Sequence, residues 1–144
     1  MFDVICVTGP RDARCSIWEI PVRTFIARNL KLAGLLMHGG ATGIDSIAEE
    51  STAGMDRDVK VYHADWGRPL DRSAGPRRNR EMIAALHGHE QAGLRVAVFA
   101  FHDDLGPHLK GSGTFDMASA TRKAGITLWA INSKGEVKKY EGGL

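Results

Sequence analysis

Short apolar runs rich in valine, isoleucine and leucine recur along the whole chain. They cover residues 3–8, 34–38, 59–62, 94–101 and 126–131. None alternates cleanly between polar and apolar residues, as a strand with one solvated face would. Such continuous runs are typical of strands that are buried on both faces of a parallel sheet. The pattern therefore predicts about five buried parallel strands.

Amphipathic segments lie between these runs. Apolar residues recur at helical spacing in residues 16–31, 43–53, 75–86 and 114–124. Ser16 and Glu19 have the spacing of a capping box, and Gly125 is placed to end the last helix. Strands that alternate with helices form right-handed βαβ units, so we expect an α/β fold, a Rossmann-like three-layer αβα sandwich with a mostly parallel sheet. The tail, residues 132–144, forms either a short edge strand or a loose end.

Length and composition indicate one domain over residues 1–144, because domains usually have about 100–150 residues. A hydrophobic content of 43% excludes general disorder. Lys and Arg number 19 and Asp and Glu 17, a net charge of +2 that argues against a long nucleic acid as partner. Five arginines nevertheless fall within residues 68–80, so the small net charge conceals a local cluster of positive charge.

The two cysteines, Cys6 and Cys15, are too few for a disulfide scaffold, and Cys6 lies within an apolar run. The N-terminus carries no basic leader, and no apolar stretch reaches the ~18–20 residues of a transmembrane helix. We therefore expect a reduced, cytoplasmic protein without a membrane partner.

Glycine-rich turns follow two of the predicted strands, at residues 38–45 (HGGATGID) and 110–114 (KGSGT), and residues 8–11 (TGPR) follow the first strand. Glycines let backbone N–H groups approach an anion, and a helix N-terminus adds a favourable partial charge. Ligands of open α/β sheets bind at this carboxyl edge, so the turns predict a phosphate-bearing ligand. Neither GxxxxGK[ST] nor GxGxxG is present, which disfavours a kinase or a standard NAD dehydrogenase.

Several charged residues have two interpretations at this stage. Arg77 and Arg78 either belong to a solvated helix face or bind a phosphate or carboxylate. Asp45 either complements the dipole of its helix, or binds a ribose hydroxyl or orients an arginine. His87 and His89, expected just past a helix end, do not match a metal-binding spacing, and we predict no metal and no cofactor.

Seven segments together carry a family resemblance. They are VTGPR (7–11), HGGATGID (38–45), HADW (63–66), AGPRRNREM (74–82), AFHDDL (100–105), GSGTFDM (111–117) and ATRKAGI (120–126). In this order they resemble the YspA-like branch of the SLOG superfamily, Rossmann-like proteins that also include the Lonely Guy phosphoribohydrolases and the DNA-processing protein DprA. The resemblance implies a nucleotide-derived ligand across the strand ends and, often, a homodimer.

Catalysis is where the sequence departs from the Lonely Guy enzymes, whose PGGxGTxxE motif ends in a glutamate that serves cleavage of an N-glycosidic bond. Met117 stands at that position, and a thioether cannot act as a general acid or base. Asp116 is one residue away, about 100° around a helix, and is the candidate catalytic residue.

The leading hypothesis is a nucleotide-binding sensor or sequestering domain. Arg11 and Arg78 would bind phosphate, the amides of the two glycine turns would cradle it, and Asp45 with Asn79 would hold the sugar or base. The predicted binding residues are Gly9, Arg11, His38, Gly39, Gly40, Gly43, Asp45, Arg78, Asn79, Gly111, Gly113 and Thr114.

Two alternatives stay open. The first is a Lonely Guy-type nucleotide N-glycosidase in which Asp116 stabilises a ribosyl cation or activates water. The second is a DprA-like nucleic-acid binder that uses the arginines of residues 68–80. Because no aromatic residues are interleaved with these arginines, a stacking groove for single strands is disfavoured.

Overall fold

The computed structural model describes residues 1–11, 16–53, 56–64, 73–106 and 112–141. Its strands are β1 (Phe2–Thr8), β2 (Leu30–His38), β3 (Asp58–Val61), β4 (Val96–Phe101), β5 (Leu128–Ile131) and β6 (Val137–Tyr140). Its helices are α1 (Ser16–Asn29), α2 (Ile44–Thr52), α3 (Ala74–Gln91) and α4 (Ser112–Lys123). Strands and helices alternate from β1 to β5, as the apolar pattern predicts.

The six strands form one sheet in the order β3-β2-β1-β4-β5-β6. Neighbours from β3 to β5 are parallel, and β6 pairs antiparallel with β5. The chain therefore starts at the centre, builds out to β3, and then crosses to the other side of β1. The predicted Rossmann-like architecture is confirmed, and the tail supplies a short edge strand. The strand order reverses between β1 and β4, and this switch point is where such sheets bind ligands.

Both faces of the sheet are covered, as continuous apolar runs require. Ile5 and Val7 of β1 face a cluster formed with α1 and α2, whereas Val4 and Cys6 face a second cluster formed with α3 and α4. All residues of β4 are buried. None of the helices within the described ranges is long and apolar enough to cross a membrane.

Helix α3 extends five residues beyond the predicted end, so His87 and His89 lie inside it and not past its end. The prediction was wrong because the last turn of α3 is polar and solvent-facing, and carries no apolar periodicity. The helix stops just before Gly93, which has a φ of +88° and donates its N–H to the carbonyl of Glu90 at 2.9 Å.

Candidate functional site

A pocket of about 170 Å³ opens at the carboxyl edge of the sheet, next to the switch point between β1 and β4. It is lined by Thr8, Gly9, Pro10, Arg11, Ala41, Asp45, Arg78, Gly113 and Thr114. These residues come from the β1–α1 and β2–α2 loops and from the beginnings of α2, α3 and α4. The fold thus brings together segments that the sequence marks as phosphate-binding candidates but separates by up to about 100 residues along the chain.

The β1–α1 loop is held against the β2–α2 loop. Thr42 Oγ1 donates to the carbonyl of Arg11 at 2.8 Å. Gly43 has a φ of +82°, and a Cβ atom there would lie 2.5 Å from the carbonyl oxygen of Pro10. Glycine at this position therefore allows the two loops to approach closely enough to form one wall of the pocket.

Asp45, in the first turn of α2, is only 5% exposed and lines the pocket. Its Oδ2 accepts hydrogen bonds from the N–H groups of Gly39 at 3.1 Å and Ala41 at 3.2 Å. Its Oδ1 is buried and has no hydrogen-bond partner among the residues that the structure describes. Burial raises the pKa of Asp45, and the nearby His38, the two N–H donors and the charge of Arg78 offset only part of this rise. An unpaired buried acceptor costs about 1–3 kcal/mol, and more when it is charged.

The amides of the first glycine turn donate to protein groups. Besides the two bonds to Asp45, the N–H of Gly40 donates to Nδ1 of His38 at 2.9 Å. Nδ1 therefore carries no proton, and Nε2 of His38 donates to Glu49 Oε1 at 3.1 Å. The N–H groups of residues 39–41 are thus not free to cradle a phosphate, contrary to the prediction, because the carboxylate of Asp45 and the ring of His38 occupy them.

Arg78 is held firmly at the pocket wall. Its Nη1 donates to the carbonyls of Gly39 at 2.7 Å and Tyr62 at 3.2 Å, and its Nε donates to Asn79 Oδ1 at 2.9 Å. A Cβ atom on Gly39 would lie 2.2 Å from Nη1, so the glycine makes room for the guanidinium. Burial lowers the pKa of Arg78. An arginine nevertheless keeps its charge at neutral pH.

Asn79 connects α3 to α4. It is 3% exposed, and its Nδ2 donates to Asp116 Oδ2 at 2.8 Å while its Oδ1 accepts from Arg78. Neither Asn79 nor Asp116 lines the pocket. Met117, the neighbour of Asp116 in sequence, is fully buried in the core beside α3. Asp116 therefore supports the orientation of Asn79, and through it that of Arg78.

The first turn of α4 forms the opposite wall, with Gly113 and Thr114 on the pocket surface. First-turn N–H groups have no acceptor within their own helix and are available to an anion. A Cβ atom at Gly113 would meet no atom within 4 Å, so protein packing does not require glycine here. The missing side chain instead leaves space in the pocket.

Some of the predicted binding residues do not line the pocket. His38, Gly39, Gly40 and Gly43 shape the wall from behind, while Gly9 and Arg11 lie on it. Gly111 falls outside the described residues, as do Arg68, Arg72, Cys15 and Trp66. Within the described ranges, no group of three or more His, Cys, Asp or Glu side chains could hold a metal ion.

Thr8, Pro10 and Ala41 lie within the predicted turns but were not among the predicted binding residues, and Glu49 was not predicted as the partner of His38. The first three carry no signal in residue type, because their place in the wall depends on the path of the backbone. Glu49 carries a weak signal, since it follows Asp45 by four residues and so shares its side of α2.

No family model matches the chain, and no curated protein matches it either. Its function must therefore be inferred from the chemistry of the pocket. Arg78 and the first turn of α4 favour an anion, and the bare oxygen of Asp45 favours a hydrogen-bond donor. A ligand that carries an anionic group close to a hydrogen-bond donor would therefore complement the pocket.

Proposed function

We propose that this protein binds a nucleotide or a nucleotide-derived small ligand in the pocket, as a sensor or sequestering domain. One observation carries the proposal: the guanidinium of Arg78, fixed by three protein acceptors, faces the same pocket as the first turn of α4. Guanidinium groups bind phosphate through paired N–H donors, and helix N-termini bind it through their free N–H groups.

The phosphate would lie between Arg78 and the N–H groups of Gly113 and Thr114. Arg11 lines the pocket as well, and its charge is close enough to lower the pKa of Arg78 further. Two cations and a helix N-terminus compensate the charge of one phosphate group. Asp45 would then face a part of the ligand that carries no negative charge.

No specific observation supports either alternative function, the N-glycosidase or the nucleic-acid binder. The carboxylate of Asp116, the candidate catalytic group, is bonded to Asn79 and does not line the pocket. Glycosidases usually place two carboxylates beside the scissile bond, and among the residues that the structure describes the pocket lining contains one, Asp45. Of the arginines within residues 73–80, Arg78 turns towards the pocket while Arg77 and Arg80 are exposed, which is not a continuous groove for a nucleic acid.

We also propose membership of the SLOG superfamily, on the order of the seven motifs and on the position of HGGATGID at the β2–α2 turn. With this membership comes a further proposal, a homodimer, and the low cysteine content separately supports the proposal of a cytoplasmic location. Light scattering after size-exclusion chromatography tests the first, and fractionation of cells that express the tagged protein tests the second.

Thermal unfolding with a panel of nucleoside mono-, di- and triphosphates, ADP-ribose and NAD tests the binding proposal. At 100 times its Kd a ligand stabilises the fold by about 2.7 kcal/mol, so we expect an increase of several degrees in Tm. Arg78→Lys should reduce this increase, whereas Arg80→Lys, at an exposed position of the same helix, should preserve it. If no ligand of the panel raises the Tm, the proposal is wrong.

A further inference from the structure

The carboxylate of Asp45 is held in a fixed direction. Oδ2 is bound by the N–H groups of Gly39 and Ala41, so the side chain cannot rotate to satisfy Oδ1 without losing both bonds. Arg78 makes no hydrogen bond to Oδ1 either: its Nη1 and Nε donate to two backbone carbonyls and to Asn79, and Oδ1 has no partner among the described residues. Oδ1 is therefore a preorganised acceptor on a residue that lines the pocket; it is buried, and it has no partner in the described part of the chain.

The size of the pocket limits which ligand group can reach this oxygen. Pockets for drug-sized ligands measure about 300–1,000 Å³, whereas this one measures about 170 Å³. A phosphate with one sugar ring is the part of a nucleotide that suits the smaller volume, and the base would extend outwards. Because the phosphate lies at Arg78 and the first turn of α4, the group that reaches Asp45 belongs to the sugar.

We propose that Oδ1 of Asp45 accepts a hydrogen bond from a sugar hydroxyl, so that Asp45 selects ribose-containing phosphates against their deoxyribose analogues. This inference rests on the proposed nucleotide site. A deoxy analogue would leave Oδ1 buried and unpaired, which weakens binding on the order of 10- to 100-fold. A site built to bind a hydroxyl rejects the analogue that lacks it, whereas a purely apolar wall discriminates weakly.

Isothermal titration with matched ligand pairs tests this selection. The probes are ribose 5-phosphate, 2-deoxyribose 5-phosphate, and each nucleoside monophosphate with its 2′-deoxy and 3′-deoxy forms. We expect ribose 5-phosphate to bind by itself, and at least one deoxy form of each nucleotide to bind on the order of 10- to 100-fold more weakly. In Asp45→Ala the ratio between the ribose and deoxyribose forms should fall to about 1–3, because the variant leaves neither an acceptor nor a donor for the hydroxyl at this position. Asp58→Asn, at an exposed position on the far edge strand, should leave the ratio unchanged.

The outcomes separate the two proposals. If the ribose and deoxyribose forms bind the unmodified protein equally well, the selection is wrong while the nucleotide site stands. If Asp45→Ala is folded by circular dichroism and keeps the full ratio, another group selects the hydroxyl, and our assignment to Asp45 is overturned. If no sugar phosphate or nucleotide binds the unmodified protein, the proposed function is wrong and this inference is lost with it.

Discussion

Two aspartates at opposite ends of the sheet show how its two edges differ. Asp3, at the amino end of β1, accepts from the N–H of Arg95 at 2.8 Å and from Lys31 Nζ at 3.0 Å, and these bonds lower its pKa. Asp45, at the carboxyl edge, keeps one oxygen without a partner among the described residues, and burial raises its pKa. The amino edge is arranged for stability, whereas the carboxyl edge keeps a buried acceptor without a partner among the described residues, which our proposal assigns to a ligand.

The largest effect that we expect at the carboxyl edge comes from Arg78→Met. The substitution leaves the carbonyls of Gly39 and Tyr62 and the Oδ1 of Asn79 without their donor. We expect the free energy of unfolding to fall by about 2–4 kcal/mol and nucleotide affinity to fall by at least 10-fold. Denaturant unfolding and calorimetric titration measure the two losses. Arg80→Met, at an exposed site on α3, is the control, and an equal loss there would contradict the role given to Arg78.

Exchanging each aspartate for asparagine tests the contrast between the edges directly. Asp45→Asn retains an oxygen for the two N–H donors and removes a buried charge, so the unfolding free energy of the ligand-free protein should stay constant or rise by about 1 kcal/mol. Asp3→Asn weakens its bonds to Arg95 and Lys31 and should lower that free energy. Denaturant unfolding at pH 7 without ligand measures both. A clear loss of stability in Asp45→Asn would show that the carboxylate stabilises the free protein.

The two aspartates should also contribute to the pH dependence of stability with opposite signs. Because the folded-state pKa of Asp45 is raised, its ionisation destabilises the fold as the pH rises from the unfolded value through the folded pKa. The pKa of Asp3 is lowered, so its stabilisation is present above the unfolded value and is lost as the pH falls through the folded pKa. Denaturant unfolding of the original protein and both variants between about pH 3 and pH 8 measures the two contributions. Slopes of the same sign for both residues would refute this account.

The smallest expected effect is the difference in nucleotide binding between alanine variants at Gly113 and at Gly88. A Cβ atom would meet nothing within 4 Å at either glycine, and both lie in helices. Each alanine variant should therefore stabilise the free protein, by up to about 1 kcal/mol. Only Gly113→Ala should weaken nucleotide binding, because only Gly113 lines the pocket. Thermal unfolding with and without nucleotide measures both, and equal ligand effects in the two variants would argue against binding at α4.

The fold was largely predictable from the sequence, and the site only in part. Five apolar runs predicted β1 to β5, because burial on both faces requires continuous apolar residues. The sequence also marked Asp45, Arg78 and Gly113 as candidates. It could not show that the carboxylate of Asp45 would occupy the amides of Gly39 and Ala41, since this depends on how the turn folds back.

The end of α3 and the role of Asn79 show the same limit. Because the last turn of α3 consists largely of polar residues, the helical spacing of apolar residues in the sequence ends before the helix does. Asn79 was predicted to hold the sugar or base, whereas its amide joins Arg78 to Asp116. Contacts between side chains that are distant in sequence depend on the packing of α3 against α4, which no local pattern records.

The most direct test of the central claim is thermal unfolding of the original protein and of Asp45→Asn, each with and without a ribonucleoside monophosphate. We predict that the ligand raises the Tm of the original protein by several degrees, that the ligand-free variant is at least as stable, and that the ligand stabilises the variant much less. The same ligand-induced increase in both proteins would contradict the claim that Asp45 is kept for a ligand.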